Sequence, residues 1–225
     1  MSEKNAGLVR VELHMHTSAS KDCLVPVRKL LTLCQQKGID MIAITDHNVI
    51  EGALEAKSLD PTRVIVGEEI ATTQGELLGY FMSEWVPTNL EPMDVITRLR
   101  SQGAVISVAH PFDTTRRHHW EEKDLAVIAP HLDAIETFNA RCLTHASNER
   151  ALQFAQEHNL LETIGSDAHS LWEVGRATLR MPDFQDAETF KAALKYAEED
   201  TKLSPPFVHL FSRFAVFMKG LQESK

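Results

Sequence analysis

Short apolar runs rich in β-branched residues recur along this chain, separated by stretches with helical periodicity. Met41-Ile42-Ala43-Ile44-Thr45, Val64-Ile65-Val66, Val105-Ile106-Ser107-Val108-Ala109, Leu132-Asp133-Ala134-Ile135 and Glu162-Thr163-Ile164-Gly165-Ser166 have the length and texture of buried strands. Residues 27–37 repeat with helical spacing, with Pro26 just before them and Gly38 just after, the residues that start and stop helices. Strand alternating with helix predicts a parallel sheet or a barrel. The rhythm breaks at Pro205-Pro206, after which Phe207, Leu210, Phe211, Phe214 and Met218 recur at helical spacing. This divides the chain into a main domain at 8–200 and an amphipathic helix at 201–225, expected to pack on the barrel or, failing that, to meet a second copy.

The strand ends carry the chemistry. Val9-Arg10-Val11-Glu12-Leu13-His14-Met15-His16 alternates, so His14 and His16 fall on one face and one ion can bind both imidazoles. Asp46-His47, Glu69, His110, Glu136 and Asp167-x-His169 each follow one of the apolar runs, and Asp22 lies in the loop after His16. Functional residues gathered at the carboxyl ends of parallel strands favour a barrel with its site on that face. Imidazoles and carboxylates without cysteine suit divalent zinc, manganese or iron. So many charged groups at apolar strand ends are costly unless a cation compensates them.

Composition narrows the functional classes. With 32 acidic and 23 basic residues the formal charge is −9, which lacks the basic footprint of a duplex-DNA binder. An anionic substrate would then be drawn in locally, by the cations in the pocket. No apolar run approaches the roughly 18 residues a membrane span requires, and no signal-peptide core opens the chain, so a cytoplasmic protein that does not engage membranes is expected. Cys23, Cys34 and Cys142 lack paired metal-type spacing and fit a reducing compartment. Residues 113–122, with Arg116, Arg117, His118, His119 and Trp120, form the one charge-dense loop and a candidate substrate lid.

Taken together, His14-x-His16-Thr17, Thr45-Asp46-His47-Asn48, Gly67-x-Glu69-Ile70, Ala109-His110-Pro111, Ile135-Glu136-x-x-Asn139 and Gly165-Ser166-Asp167-Ala168-His169 resemble the polymerase and histidinol phosphatase (PHP) family over residues 8–180. The resemblance implies a single-domain α/β fold, a distorted (β/α)7 TIM-like barrel that holds two or three divalent ions (Mn, Zn or Fe) and hydrolyses phosphoesters. It implies that His14, His16, Glu69 and Asp167 hold a first ion, with Glu69 bridging to a second held by His110 and Glu136. Asp22, His47 and His169 would hold a third. In Gly67-Glu68-Glu69 only Glu69 keeps the Gly-x-Glu spacing, and Glu68 points to the other strand face. Asp46 is expected to orient an imidazole, and His169 is a candidate for protonating the leaving group.

A water ionised between two metals is the expected nucleophile. Arg141 is the first candidate for a bidentate phosphate fork and Arg176 the second, with Asn139 joining them as a substrate-binding residue. The expected substrate is a small phosphate ester, a nucleotide or short oligonucleotide. The competing readings are a histidinol-phosphate-type phosphatase, hydrolysis of a carbon–nitrogen bond, and a metal-stabilised module that binds or regulates without catalysis.

Overall fold

The runs marked in the sequence overlap strands in the computed structural model, which describes residues 7–223. In chain order the elements are β1 (Leu8–Glu12), α1 (Val27–Gln36), β2 (Met41–Ile44), α2 (Glu51–Leu59), β3 (Val64–Ala71), β4 (Glu76–Tyr80), α3 (Pro92–Ser101) and β5 (Val105–Val108). There follow α4 (Glu122–Ile128), β6 (Ala134–Asn139), α5 (His145–His158), β7 (Leu161–Gly165), β8 (Ala177–Pro182), α6 (Ala187–Leu194), β9 (Glu198–Thr201) and α7 (His209–Glu223). Pro26 caps α1 at its start, and Gly38, at φ +64°, turns the chain after its end.

Seven strands form one strongly curled sheet in the order β5-β4-β3-β2-β1-β8-β9, and β6 pairs with β7 in a second sheet. β1, β2 and β3 are mutually parallel, as are β6 and β7. The two sheets meet on both sides. Asp133 N–H, just before β6, donates to Ile106 C=O of β5 at 3.0 Å, and His16 N–H, just past β1, donates to Ala168 C=O, just past β7, at 3.0 Å. The carboxyl ends of β1, β2, β3, β5, β6 and β7 therefore ring one mouth.

The barrel departs from a uniform β/α repeat. β4 is antiparallel to β3 and β5, and β8 is antiparallel to β1 and β9. The cause is local: only four residues separate β3 from β4, too few for a parallel crossover, and Thr72 closes the turn by donating from Oγ to Gly75 C=O at 2.7 Å. One apolar cluster joins Leu30, Cys34, Ile42, Ile44, Ile106 and Phe154, seating helices on the outer strand faces. Another joins Val11, Ala43, Ile65, Tyr80, Leu179 and Phe190.

The carboxyl-terminal helix differs from the expectation in the face it presents. α7 meets the barrel through buried Val208, just before it, through buried Ala215, and through Ser212 and Lys219. Ser212 Oγ accepts from Arg141 Nη2 at 2.7 Å, and Lys219 Nζ donates to the carbonyls of Ser18, at 2.7 Å, and Ser20. Phe207, Leu210, Phe211 and Phe214, expected against the barrel, are 39–62% exposed. The surface under α7 is polar, made of an arginine and loop carbonyls, so the polar stripe of the helix is the one that finds partners there.

Candidate metal centre

The nine sequence-derived metal-ligand candidates converge at the mouth. His14, His16, Glu69 and Asp167 are fully buried, and His110, Glu136 and His169 nearly so. Glu69 is the hub. Its Oε2 lies 3.0 Å from His47 Nδ1, 3.1 Å from His14 Nε2 and 3.4 Å from His16 Nε2, and its Oε1 lies 2.8 Å from His110 Nε2. Asp167 Oδ1 sits 3.2 Å from His16 Nε2 and 3.3 Å from His169 Nδ1. Asp22, on its loop, reaches His169 Nε2 at 2.9 Å and His47 Nε2 at 3.5 Å. Glu68 lies on the other face of β3 and accepts from Val86 N–H at 3.0 Å.

Local backbone geometry lets these groups meet. Among non-glycine residues, His110 (φ +27°), Asn48 (φ +58°) and Asp167 (φ +52°) take left-handed conformations at the strand ends, the kind of local strain found at functional sites. Gly165 is required by close approach: a Cβ there would collide with His14 Cβ and Glu136 Oε1. Glu12, buried in β1, accepts from Ser166 N–H (2.9 Å), Ser166 Oγ (2.5 Å) and Gly175 N–H (3.0 Å), pinning both sides of the turn that carries Asp167 and His169.

Glu136, a candidate ligand, and Asp46, expected to orient an imidazole, both hold other groups in the structure. Glu136 Oε1 pairs with His14 Nδ1 at 2.9 Å, while Oε2 accepts from His110 N–H (2.8 Å) and Asn139 Nδ2 (2.9 Å). With both oxygens engaged, Glu136 fixes the ring of His14 and leaves Nε2 facing the cluster, the arrangement by which carboxylates orient metal-binding histidines. Asp46 accepts from Thr17 N–H, Thr17 Oγ and Ser20 Oγ at 2.6–2.7 Å, and Ser20 Oγ in turn sits 3.2 Å from His16 Nδ1. Asp46 thus acts on an imidazole through Ser20, without touching the cluster.

The three substrate-binding candidates have separate fates. Asn139 is consumed as a bridge, donating to Glu136 and to Asp167 Oδ2 (3.2 Å). Arg141, 4% exposed, donates from Nη1 to His169 Nδ1 at 2.5 Å and from Nη2 to Ser212, while its Nε lies 3.2 Å from Glu173 Oε1. Arg176 is not brought to the cluster: its guanidinium donates to Leu203 C=O at 3.2 Å, because the chain has already turned into β8. Two residues that the motifs do not mark do reach the site. Arg116, from the charged loop, donates to Asp167 Oδ2 at 2.5 Å, and Glu76 Oε2, from the start of β4, lies 3.8 Å from His110 Nε2.

Electrostatics tests whether cations fit here. Burial opposes charge on His14, yet Glu69, Glu136 and Asp167 outweigh it and hold the imidazole well above its ordinary range. Burial is likewise overcome at His47, where Glu69 and Asp22 raise the value to about 10. His16 goes the other way, pushed down by burial and by His169 and His47. Burial would raise Glu69 and Asp167, but the surrounding imidazoles, with Arg116 beside Asp167, keep both well below the usual carboxylate range. Protons on imidazoles here do what a divalent ion would do, and ion binding would displace them. His16 Nε2 and Asp167 Oδ1 are buried without a hydrogen-bond partner. Among the described residues, ligand atoms come within 4.8 Å of one another in four overlapping sets: His14–His16–Glu69, His14–His110–Asp167, His16–His47–His169 and His47–Glu69–Glu76. The residues present fit a multinuclear divalent site.

The model of the PHP domain matches residues 12–162, and that of a PHP-associated region matches residues 145–198. The chain belongs to the PHP domain family. An uncharacterized protein of Methanocaldococcus jannaschii is 36% identical over 181 residues, covering 78% of this chain and 71% of that relative. Among solved structures, PsfC from Pseudomonas syringae shares the fold with a TM-score of 0.69 at 16% identity, over 96% of this chain and 99% of that one. A two-domain Bacteroides vulgatus protein containing a predicted PHP-like metal-dependent phosphoesterase aligns with a TM-score of 0.68 at 17% identity. The alignment covers 87% of this PHP chain and 65% of that longer protein. No helix among the described residues is long and apolar enough to cross a membrane.

Proposed function

We propose that this PHP protein is a metal-dependent phosphoesterase acting on the terminal phosphate of a small ester, such as a nucleotide or the end of a short oligonucleotide. The observation that carries the reading is Glu69, a buried carboxylate facing four imidazoles and shared by two of the four ligand sets. Divalent ions bound there supply Lewis acidity and a water acidic enough to ionise near neutral pH. His14, His16, Glu69 and His110 would hold them, with Asp167, His47, His169, Asp22 and Glu76 completing the set.

The chain's own groups define the rest of the chemistry. Arg116 and Arg141 border the cluster with two guanidinium forks, the geometry that binds phosphate oxygens and stabilises charge as it redistributes. His169, its Nδ1 engaged by Arg141, turns Nε2 toward Asp22 and the cluster, which suits it as an ion ligand and leaves it no proton to hand to the leaving oxygen once an ion is bound. Asp22 and His47, with side chains 24% and 20% exposed, are the ligand candidates most open to solvent, beside Arg116 at 18%. That narrow edge suits a protruding phosphate, and the −9 charge disfavours a duplex.

A panel of phosphomonoesters, nucleoside bisphosphates and 5'-phosphorylated oligonucleotides, assayed after chelation and again after reloading with Mn, Zn or Fe, tests the reading. Phosphate release restored by metal supports it. No release from any ester by protein that holds its ions would favour the non-catalytic binding module.

A further inference from the structure

The outward face of α7 is organised for a partner. Leu210, Phe214, Phe217 and Leu221 follow one another at intervals of four, three and four residues, the 3.5-residue period of a helix seam that packs against another helix, and Phe207, in the 3-10 turn that leads into α7, continues the row three residues earlier. The opposite face, at Val208, Ser212, Ala215 and Lys219, is the one engaged with the barrel. A helix that is clamped on one side and apolar on the other is a mounted docking surface.

Area and charge identify the occupant. Phe207, Phe211, Phe214 and Phe217 are 50%, 39%, 56% and 62% exposed. At about 200 Å² for a whole aromatic side chain, these four leave roughly 400 Å² open on each chain. Leu210 and Leu221, 62% and 49% exposed, add to it. Monomeric proteins rarely leave contiguous apolar patches beyond a few hundred Å². Two such faces with their polar rims reach the roughly 1,200–2,000 Å² in total that a specific interface buries. Charge points the same way: between residues 207 and 221, Arg213 and Lys219 are the only Lys, Arg, Asp or Glu residues, and Lys219 is spent on the Ser18 and Ser20 carbonyls. Among the described residues of this face one free cation, Arg213, does not make a surface for anionic lipid. An interface almost free of charge is also where two chains of −9 approach with least repulsion.

We infer that α7 pairs with α7 of a second copy about a two-fold axis through Phe214. In the antiparallel arrangement Phe214 meets its own counterpart, Phe207 faces Leu221, and Leu210 faces Phe217, so every seam residue has an apolar partner. The pairing also bears on the metal centre, because α7 holds Arg141 through Ser212 and the loop leading to Asp22 through Lys219. Dimerisation braces both contacts.

Sedimentation equilibrium of the full chain across the micromolar range should give twice the 25.3 kDa chain mass. Leu210→Glu with Phe214→Glu should halve it with an unchanged circular dichroism spectrum. Phe214→Cys should form a disulfide dimer under mild oxidation, and a mixture of Phe207→Cys and Leu221→Cys chains should cross-link more readily than Phe207→Cys chains alone. Since Phe207, Phe214 and Leu221 are all exposed, a failure to cross-link overturns the two-fold geometry. A monomer at every concentration, whether or not it floats with phosphatidylcholine–phosphatidylglycerol vesicles, overturns the proposal, as does a dimer unaffected by the double glutamate variant.

Discussion

Replacing Arg141 separates its structural role from the phosphate-binding role proposed for it. Its guanidinium is buried 3.2 Å from the fully buried carboxylate of Glu173, so Arg141→Met leaves that carboxylate without its cation. Breaking a buried pair from one side costs about 3–5 kcal/mol. For a domain of this size each kcal/mol moves Tm by about 2–4 °C, so the variant should melt roughly 6–20 °C lower. Removing both charges, Arg141→Met with Glu173→Gln, should recover most of the loss, because the remaining groups are neutral and the amide oxygen that replaces the carboxylate can still accept from Ser170 Oγ, which lies 2.7 Å from Glu173. Differential scanning calorimetry on chelated protein measures this without interference from bound ions. Metal-reloaded phosphatase assays then read the second role: if Arg141 contacts the substrate phosphate, the double variant regains stability but not turnover. A loss under 1 kcal/mol in the single variant, or no recovery in the double, would refute the buried-pair reasoning.

Glu69→Gln should lower kcat by orders of magnitude while Glu68→Gln changes it less than about threefold, measured by steady-state phosphate release, because only Glu69 faces the cluster. The reverse pattern would place the strand register off by one. Gly165→Ala should destabilise the fold by about 2 kcal/mol or more and lower metal content, since its methyl would enter the space of His14 and Glu136; urea titration with elemental analysis checks both. Cys34, fully buried and pushed up to about 12 by that burial, should resist a thiol-titrating disulfide reagent in the native protein and react once it is unfolded.

Much of the site is legible in the chain because a parallel strand delivers its last residues to one mouth. His14 and His16 follow from strand alternation, and Glu69 from its spacing after Gly67. Glu76 escapes that logic: on an antiparallel strand the first residue, not the last, arrives at the same rim, and nothing apolar precedes it to mark the position. Arg116 arrives from a loop without periodicity, where only the fold decides which of several neighbouring cations points inward. Glu136 shows that composition gives donor type but not role, since the same carboxylate can meet an ion or the far side of an imidazole; in this structure it pairs with His14 Nδ1 and accepts from one backbone and one side-chain donor. α7 shows a related limit. Its apolar stripe is plain in the sequence, but which stripe docks depends on the polarity of the surface beneath.

Metal content per chain tests the central claim most directly, measured by elemental analysis on protein purified without chelator and compared between wild type and Glu69→Gln. Overlapping ligand sets that share Glu69 predict more than one divalent transition-metal ion per wild-type chain and a clear loss in the variant. Protein that takes up no ions after reloading, or a Glu69→Gln variant with wild-type content, would contradict the multinuclear centre.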